Sequence, residues 1–219
     1  MRWLAIDTSG GSTVGLVQAD TGPPHFIAQE HLADPRGHVE AVMPMVQRVL
    51  ASASWTASDI DAVVVGTGPA PFTGLRVGIA SATAFARATG SQIHGVCSLD
   101  AIAVHHGGPA VVLTDARRRE VYWAGYCQHG ATEPLRTGHE PAVGPVADAL
   151  AWASEHAAAL IGPAVGLYDL DGDAQARVQP DGLVRVAQQL LAAGEPTPLA
   201  PRYLRRPDIH TGGARKRAS

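Results

Sequence analysis

Two aspartates, Asp7 and Asp115, each close a short apolar run and open a tight turn. The first lies in LAIDTSGG, where Thr8 and Ser9 add hydroxyls; the second lies in VVLTDARRR. A carboxylate on such a turn can hold Mg²⁺ through water while the turn faces a phosphate. Asp, Thr, Ser and Gly are also ordinary hairpin-turn residues, so a purely structural role fits the same sequence. Asp7, Thr8, Ser9 and Asp115 are therefore the candidate nucleotide-binding residues. A second candidate, GTGPAPFTGLRVG from Gly66 to Gly78, begins like a phosphate loop. It fails as one, because Gly74 is followed by Leu75 and Arg76 where the loop needs Lys and then Ser or Thr. Pro69 and Pro71 each remove an N–H donor from any anion nest.

Other reactive residue types are poorly arranged. The 10 histidines include no pair spaced for metal ligation on a helix. Asp169 to Asp173 resembles the start of a calcium loop, but Ala174 and Pro180 stand where Gly and Glu are required. No G-x-S-x-G elbow occurs. The two cysteines, Cys97 and Cys127, lie outside any CxxC spacing and read as two thiols, Cys97 as a small buried hydrophobe. Arg117, Arg118 and Arg119 make a compact basic turn that suits phosphate or an acidic partner, or simply solvent.

The elements that must position these residues follow from the pattern of apolar residues. Arg2–Asp7, Thr13–Ala19 and His25–Leu32 read as three strands. A helix follows, with Val39, Val42, Met43, Val46, Val49, Leu50 and Ala53 at helical spacing and Met45 widening the stripe. DAVVVG, residues 61–66, reads as a strand covered on both faces. A helix from Leu75 to Ala88, with Thr73 as its N-cap, leads to a strand at Gln92–Val96 and a helix from Ser98. The first hundred residues thus read βββαβαβα. From Ala110 the device restarts: strand, aspartate, turn, strand at Val121–Cys127, helix near Val146–His156, strand at Ala159–Ile161, helix near Gly182–Ala193. A duplicated, hairpin-first α/β domain with a reduced second copy matches actin-like ATPases and sugar kinases. The expected boundaries are 1–106, 107–206 and a loose basic tail at 207–219.

The helix from Leu75 is apolar on two sides. At about 100° per residue, Leu75, Ala82 and Ala86 share one side with Ile79 nearby, and Val77, Ala84 and Ala88 share the other. One side must cover the sheet, and the surplus marks a partner surface. The chain has 219 residues, 46% hydrophobic and 17% charged, with net charge −3, which describes a globular protein without global attraction to nucleic acid. No signal-peptide core and no membrane span is legible, so a cytoplasmic location is expected.

LAIDTS, HVEAVMPMV (38–46), GTGPAPFTGLRVGIASATAFA (66–86), DARRREVYWAGY (115–126) and PRYLRR (201–206) together closely resemble the TsaB (YeaZ-like) family. Its members are dimerization subunits of the bacterial complex that makes threonylcarbamoyladenosine beside the tRNA anticodon. The resemblance implies a degenerate actin-like ATPase fold, a duplicated ribonuclease H-like unit. It implies a non-catalytic scaffold with no catalytic or metal-binding residues. The partners it implies are a TsaD-like catalytic subunit, a TsaE-like ATPase, tRNA reached through the complex, and a second copy when the chain is alone. It implies no cofactor beyond ATP or ADP at the complex interface. The interface it implies uses the two apolar helices, here Val39, Val42, Met43, Val46, Leu50, Phe72, Leu75, Ile79 and Ala82; periodicity leaves open which side of each helix faces out. The family's loop usually reads GPGSFTG, and Ala70-Pro71 replace its Gly-Ser here, which weakens any nucleotide contact. The rival readings are an ATP-dependent phosphotransferase using Asp7 and Asp115, a metal-dependent peptidase, and an RNA binder using Arg117–Arg119.

Overall fold

A computed structural model describes residues 1–20, 22–33, 38–127 and 137–205, with the side chains of 38–40 left out. The expected tail at 207–219 and Arg206 lie outside the described residues. Among the described residues the chain forms two sheets. The first holds β1 (Arg2–Asp7), β2 (Ser12–Gln18), β3 (His25–Leu32), β4 (Ala62–Gly66) and β5 (Gln92–Val96), in the order β3-β2-β1-β4-β5. β1 pairs antiparallel with β2 and parallel with β4, and β4 pairs parallel with β5. The second sheet repeats this order with one strand fewer: β8-β7-β6-β9, built from β6 (Ala110–Asp115), β7 (Glu120–Tyr126), β8 (Thr137–Pro145) and β9 (Ala159–Ile161). The expected duplication, with a smaller second copy, is what the structure shows, and the fold is actin-like.

Alternation along the strands sorts side chains into three cores. On one face of the first sheet, Leu4, Ile6, Val14, Leu16, Val63 and Val65 meet helices α1 (His38–Ser52) and α2 (Phe72–Thr89). On the other, Trp3, Ala5, Val17 and Val64 join Val112, Ala124 and Tyr126 of the second sheet. Helices α3 (Ser98–Ala103) and α6 (Pro180–Ala192) fill that central layer. Val111, Leu113, Val121 and Trp123 face outward under α4 (Val146–Glu155) and α5 (Pro163–Leu167). The layers run helix, sheet, helix, sheet, helix. β1 and β4 are buried on both faces, which is why both read as near-continuous apolar runs.

Two local expectations, both at the start of α2, are corrected. α2 starts at Phe72, not Leu75, and Pro71 rather than Thr73 is its N-cap. Proline's fixed φ suits the entry to a helix, where no N–H bond is lost. α6 lies inside residues 107–206 yet packs on the first sheet: a Cβ at Gly15 of β2 would collide with Pro180. β8 and α5 are additional elements, and β8 is a sheet edge, where Pro141 and Pro145 remove no shared ladder bond. Cys97 is buried as expected, Cys127 is exposed, and they form no disulfide.

Candidate functional site

The turn after β1 is filled by the chain itself. Asp7 is 2% exposed, and both its carboxylate oxygens accept hydrogen bonds. Oδ1 accepts from the Ser9 amide at 2.9 Å and the Ser9 hydroxyl at 2.6 Å. Oδ2 accepts from the Ser98 hydroxyl at 2.6 Å. Ser98 Oγ in turn accepts the Gly68 N–H at 3.2 Å, so a donor of the glycine-rich loop is tied down too. The Thr67 amide and hydroxyl both donate to the Val96 carbonyl, at 2.7 and 2.9 Å. A Cβ at Gly66 would collide with the Asp7 carboxylate, so this glycine is what lets β4 lie against the turn.

Thr8 carries the same logic into α2. Its hydroxyl donates to the Gly74 carbonyl at 2.8 Å, and Thr8 is 1% exposed. A Cβ at Gly78 would collide with Thr8 Oγ1. The Gly74 and Gly78 spacing thus makes one turn of α2 a socket for Thr8. The Thr8 side of the turn is therefore covered by the backbone of α2. Ser98 is the partner of Asp7 that sequence reading missed; its only signal is its place just after a strand.

Asp115 has a different setting. It is half-buried, its Oδ1 accepts the Arg117 amide at 2.7 Å, and Arg117 Nε lies 3.6 Å from Oδ2. Arg117, Arg118 and Arg119 are exposed and all have positive φ, at 65°, 55° and 64°. Left-handed backbone is costly for residues bearing a Cβ.

The residues expected at a partner surface separate into two groups. Val42, Val46, Leu50 and Ala82 are buried in the core between the helices and the first sheet, and Leu75 is buried against Gly68 of the loop. Met43 is 40% exposed, and Phe72 and Ile79 are half-buried. The side chain of Val39 lies outside the described residues. The outward side of α2 is the side on which periodicity put Val77, Ala84 and Ala88: the two alanines are exposed and Val77 half-buried, and Ala80, also exposed, joins them. Arg76 and Arg87 flank this stripe, both exposed. Side chains this small leave a helix surface that another helix can approach closely.

A buried polar cluster lies where the two sheets meet. The Tyr126 hydroxyl donates to Asp100 Oδ1 at 2.7 Å. Burial pushes the Asp100 carboxyl up, while the hydrogen bonds from Tyr126 and Cys97 and the Arg202 charge oppose that shift. Burial also holds the Cys97 thiol and the Tyr126 hydroxyl well above their usual ranges. All these shifts favour the neutral forms, so the cluster ties α3 to β7. Beside it a cavity of about 490 Å³ is lined by Thr67, Cys97, Asp100, Glu195 and Arg202. Among the described residues no group of three or more His, Cys, Asp or Glu gathers as a metal-ligand set, and no helix is long and apolar enough to cross a membrane.

Residues 32–167 match a family model described as TsaD, tRNA N6-adenosine threonylcarbamoyltransferase. An uncharacterized protein of Mycobacterium tuberculosis is 45% identical over 213 residues, covering 94% of this chain and 92% of that one. The Escherichia coli tRNA threonylcarbamoyladenosine biosynthesis protein TsaB is 39% identical over 132 residues, covering 58% of this chain and 55% of that one. Among solved structures, YeaZ from Pseudomonas aeruginosa superposes with a TM-score of 0.71 at 25% identity, covering 93% of this chain and 99% of that one.

Proposed function

Because the chain belongs to the family that the TsaD model describes, and within it is TsaB-like, we propose that it serves tRNA threonylcarbamoyladenosine biosynthesis as a non-catalytic scaffold. Its direct partner in this reading is a TsaD-type catalytic subunit, with a TsaE-type ATPase and tRNA joining through the complex. A second copy of the chain takes the same face when the catalytic subunit is absent.

One observation carries the reading: α2 fills the aspartate turn with one side and leaves an apolar stripe of small residues on the other. The Asp7 carboxylate is committed to Ser9 and Ser98, which argues against a metal–phosphate role for it. The outward stripe of Val77, Ala80, Ala84 and Ala88, with Met43 on α1, is the contact surface in this reading. Val42, Val46, Leu50 and Ala82 then hold the two helices at the height that presents it. Arg76 and Arg87 along the rim favour a partner with carboxylates beside its own apolar helix.

Light scattering on a sizing column tests this, with the chain run alone and mixed with the TsaD-type subunit of the same organism. A heterocomplex is expected at micromolar concentration. Ala84→Glu, at an exposed position, is expected to abolish the complex while leaving the melting temperature within a few degrees. Absence of a complex with the unaltered chain, or its survival in Ala84→Glu, overturns the reading.

A further inference from the structure

The segment 195–205 leaves α6 and crosses the molecule without regular secondary structure. It is held at successive points. The Gly95 amide of β5 donates to the Thr197 carbonyl at 3.0 Å, and His94 Nδ1 lies 3.0 Å from the Thr197 hydroxyl. A Cβ at Gly95 would collide with the Pro198 carbonyl, so this edge of the first sheet is shaped to receive the segment. The Arg202 amide then donates to the Thr67 carbonyl at 2.8 Å, beside the glycine-rich loop.

Next come two anchors on opposite lobes. Tyr203 stacks on Phe72 at the first turn of α2, with ring centroids 4.6 Å apart and planes at 29°. Arg76 reinforces this contact: its guanidinium lies 3.7 Å from the Phe72 ring centroid, and its Nε donates to the Tyr203 hydroxyl at 3.1 Å. Two residues later Arg205 belongs to the other lobe. Its guanidinium donates to the Ala116 carbonyl at 2.6 Å and pairs with the Glu120 carboxylate. Ala116 and Glu120 are the two sides of the β6–β7 turn, closed by the Ala116 amide donating to the Glu120 carbonyl.

We infer that residues 203–205 are a mechanical strap that couples the first turn of α2 to the Arg117–Arg119 turn of the second lobe. The span between its anchors is two residues, about 7 Å when fully extended. Such a link has little slack. The two lobes cannot move apart at this edge without breaking the Tyr203 stack or the Arg205 clamp. Charge-assisted bonds such as the Arg205 clamp are roughly twice as strong as neutral ones, and ring stacks add to area burial. The strap therefore transmits displacement in both directions. One consequence rests on the proposed function: a partner that engages the start of α2 also acts on the arginine turn. The coupling itself belongs to the chain alone and is tested there.

Hydrogen exchange on the isolated full-length chain, read by mass spectrometry, makes the test. Tyr203→Ala removes the first-lobe anchor and is expected to speed exchange about tenfold at the Ala116 and Glu120 amides, in the other lobe. Arg205→Ala removes the second-lobe anchor and is expected to speed exchange similarly at Arg202 and in the first turn of α2. Tyr203→Phe keeps the ring stack and stays within about twofold of the unaltered chain. If either alanine variant loses its fold, Tyr203→Leu and Arg205→Lys replace them, with smaller accelerations at the same distant amides. Acceleration confined to the lobe that carries the substitution overturns the strap, whatever becomes of the partner reading.

Discussion

The two aspartate hairpins occupy corresponding places in the two copies of the unit, yet they have become opposites. The β1–β2 turn is interior. Asp7 and Thr8 are buried, Thr8 is seated in a glycine socket, and the left-handed position of the turn is a glycine, Gly11, with φ 116°. The β6–β7 turn is exterior. Its aspartate is half-buried, its left-handed positions are three arginines, and a strap from the C-terminal segment braces its base. Where α2 packs down on the turn, the residues serve stability. At the second turn, the three arginines stay exposed. Duplication supplied two similar turns, and what packs on each one decided its role.

Breaking the glycine contacts at the first turn should have the largest effect. Gly66→Ala places a methyl group against the Asp7 carboxylate, where β4 has no room to retreat between β1 and β5. Overpacking of this kind costs about 3 kcal/mol. Urea unfolding should show that loss, and a midpoint unchanged from the natural chain would contradict the tight packing of this turn. The next effect separates the two turns directly. Asp7→Asn replaces an acceptor with a donor against a committed hydroxyl and should cost about 1–3 kcal/mol. Asp115→Asn keeps an acceptor for the Arg117 amide at a partly open site and should cost less than about 1 kcal/mol. Equal losses at the two positions would erase the distinction between an interior and an exterior turn.

Much of this difference lies beyond what sequence periodicity can carry. The strands around both aspartates were legible, because alternation and β-branched runs report burial directly. The stripes on α1 and α2 were legible as apolar, but apolar spacing does not name its neighbour. Val42, Val46 and Ala82 face the sheet, whereas Val77, Ala84 and Ala88 face out. The start of α2 was hidden by Pro69 and Pro71, which read as loop although Pro71 caps the helix. β8 was hidden by Gly138, Pro141, Gly144 and Pro145, residues that an edge strand tolerates. The strap has no period at all. Its only signal is the residue types in Tyr203 and Arg205, whose partners lie 127 and 89 positions away at Arg76 and Ala116.

The smallest predicted effect concerns the arginine turn and has the opposite sign. A non-glycine residue in left-handed backbone carries roughly 1–2 kcal/mol of strain, while glycine loses about 0.5–1 kcal/mol more chain entropy on folding than alanine. Arg119→Gly should therefore stabilise the chain by about 0.5–1 kcal/mol, read as a small rise in the urea midpoint. Gly11→Ala at the first turn should do the reverse, since its Cβ would meet the Leu32 carbonyl at 2.6 Å. If Arg119→Gly is stabilising, the turn holds arginine there at the expense of stability, and its reason must lie outside the folded chain. Loss of stability in Arg119→Gly would instead mean that the arginine is part of the fold, and the contrast between the two turns would narrow to Asp7 and Asp115.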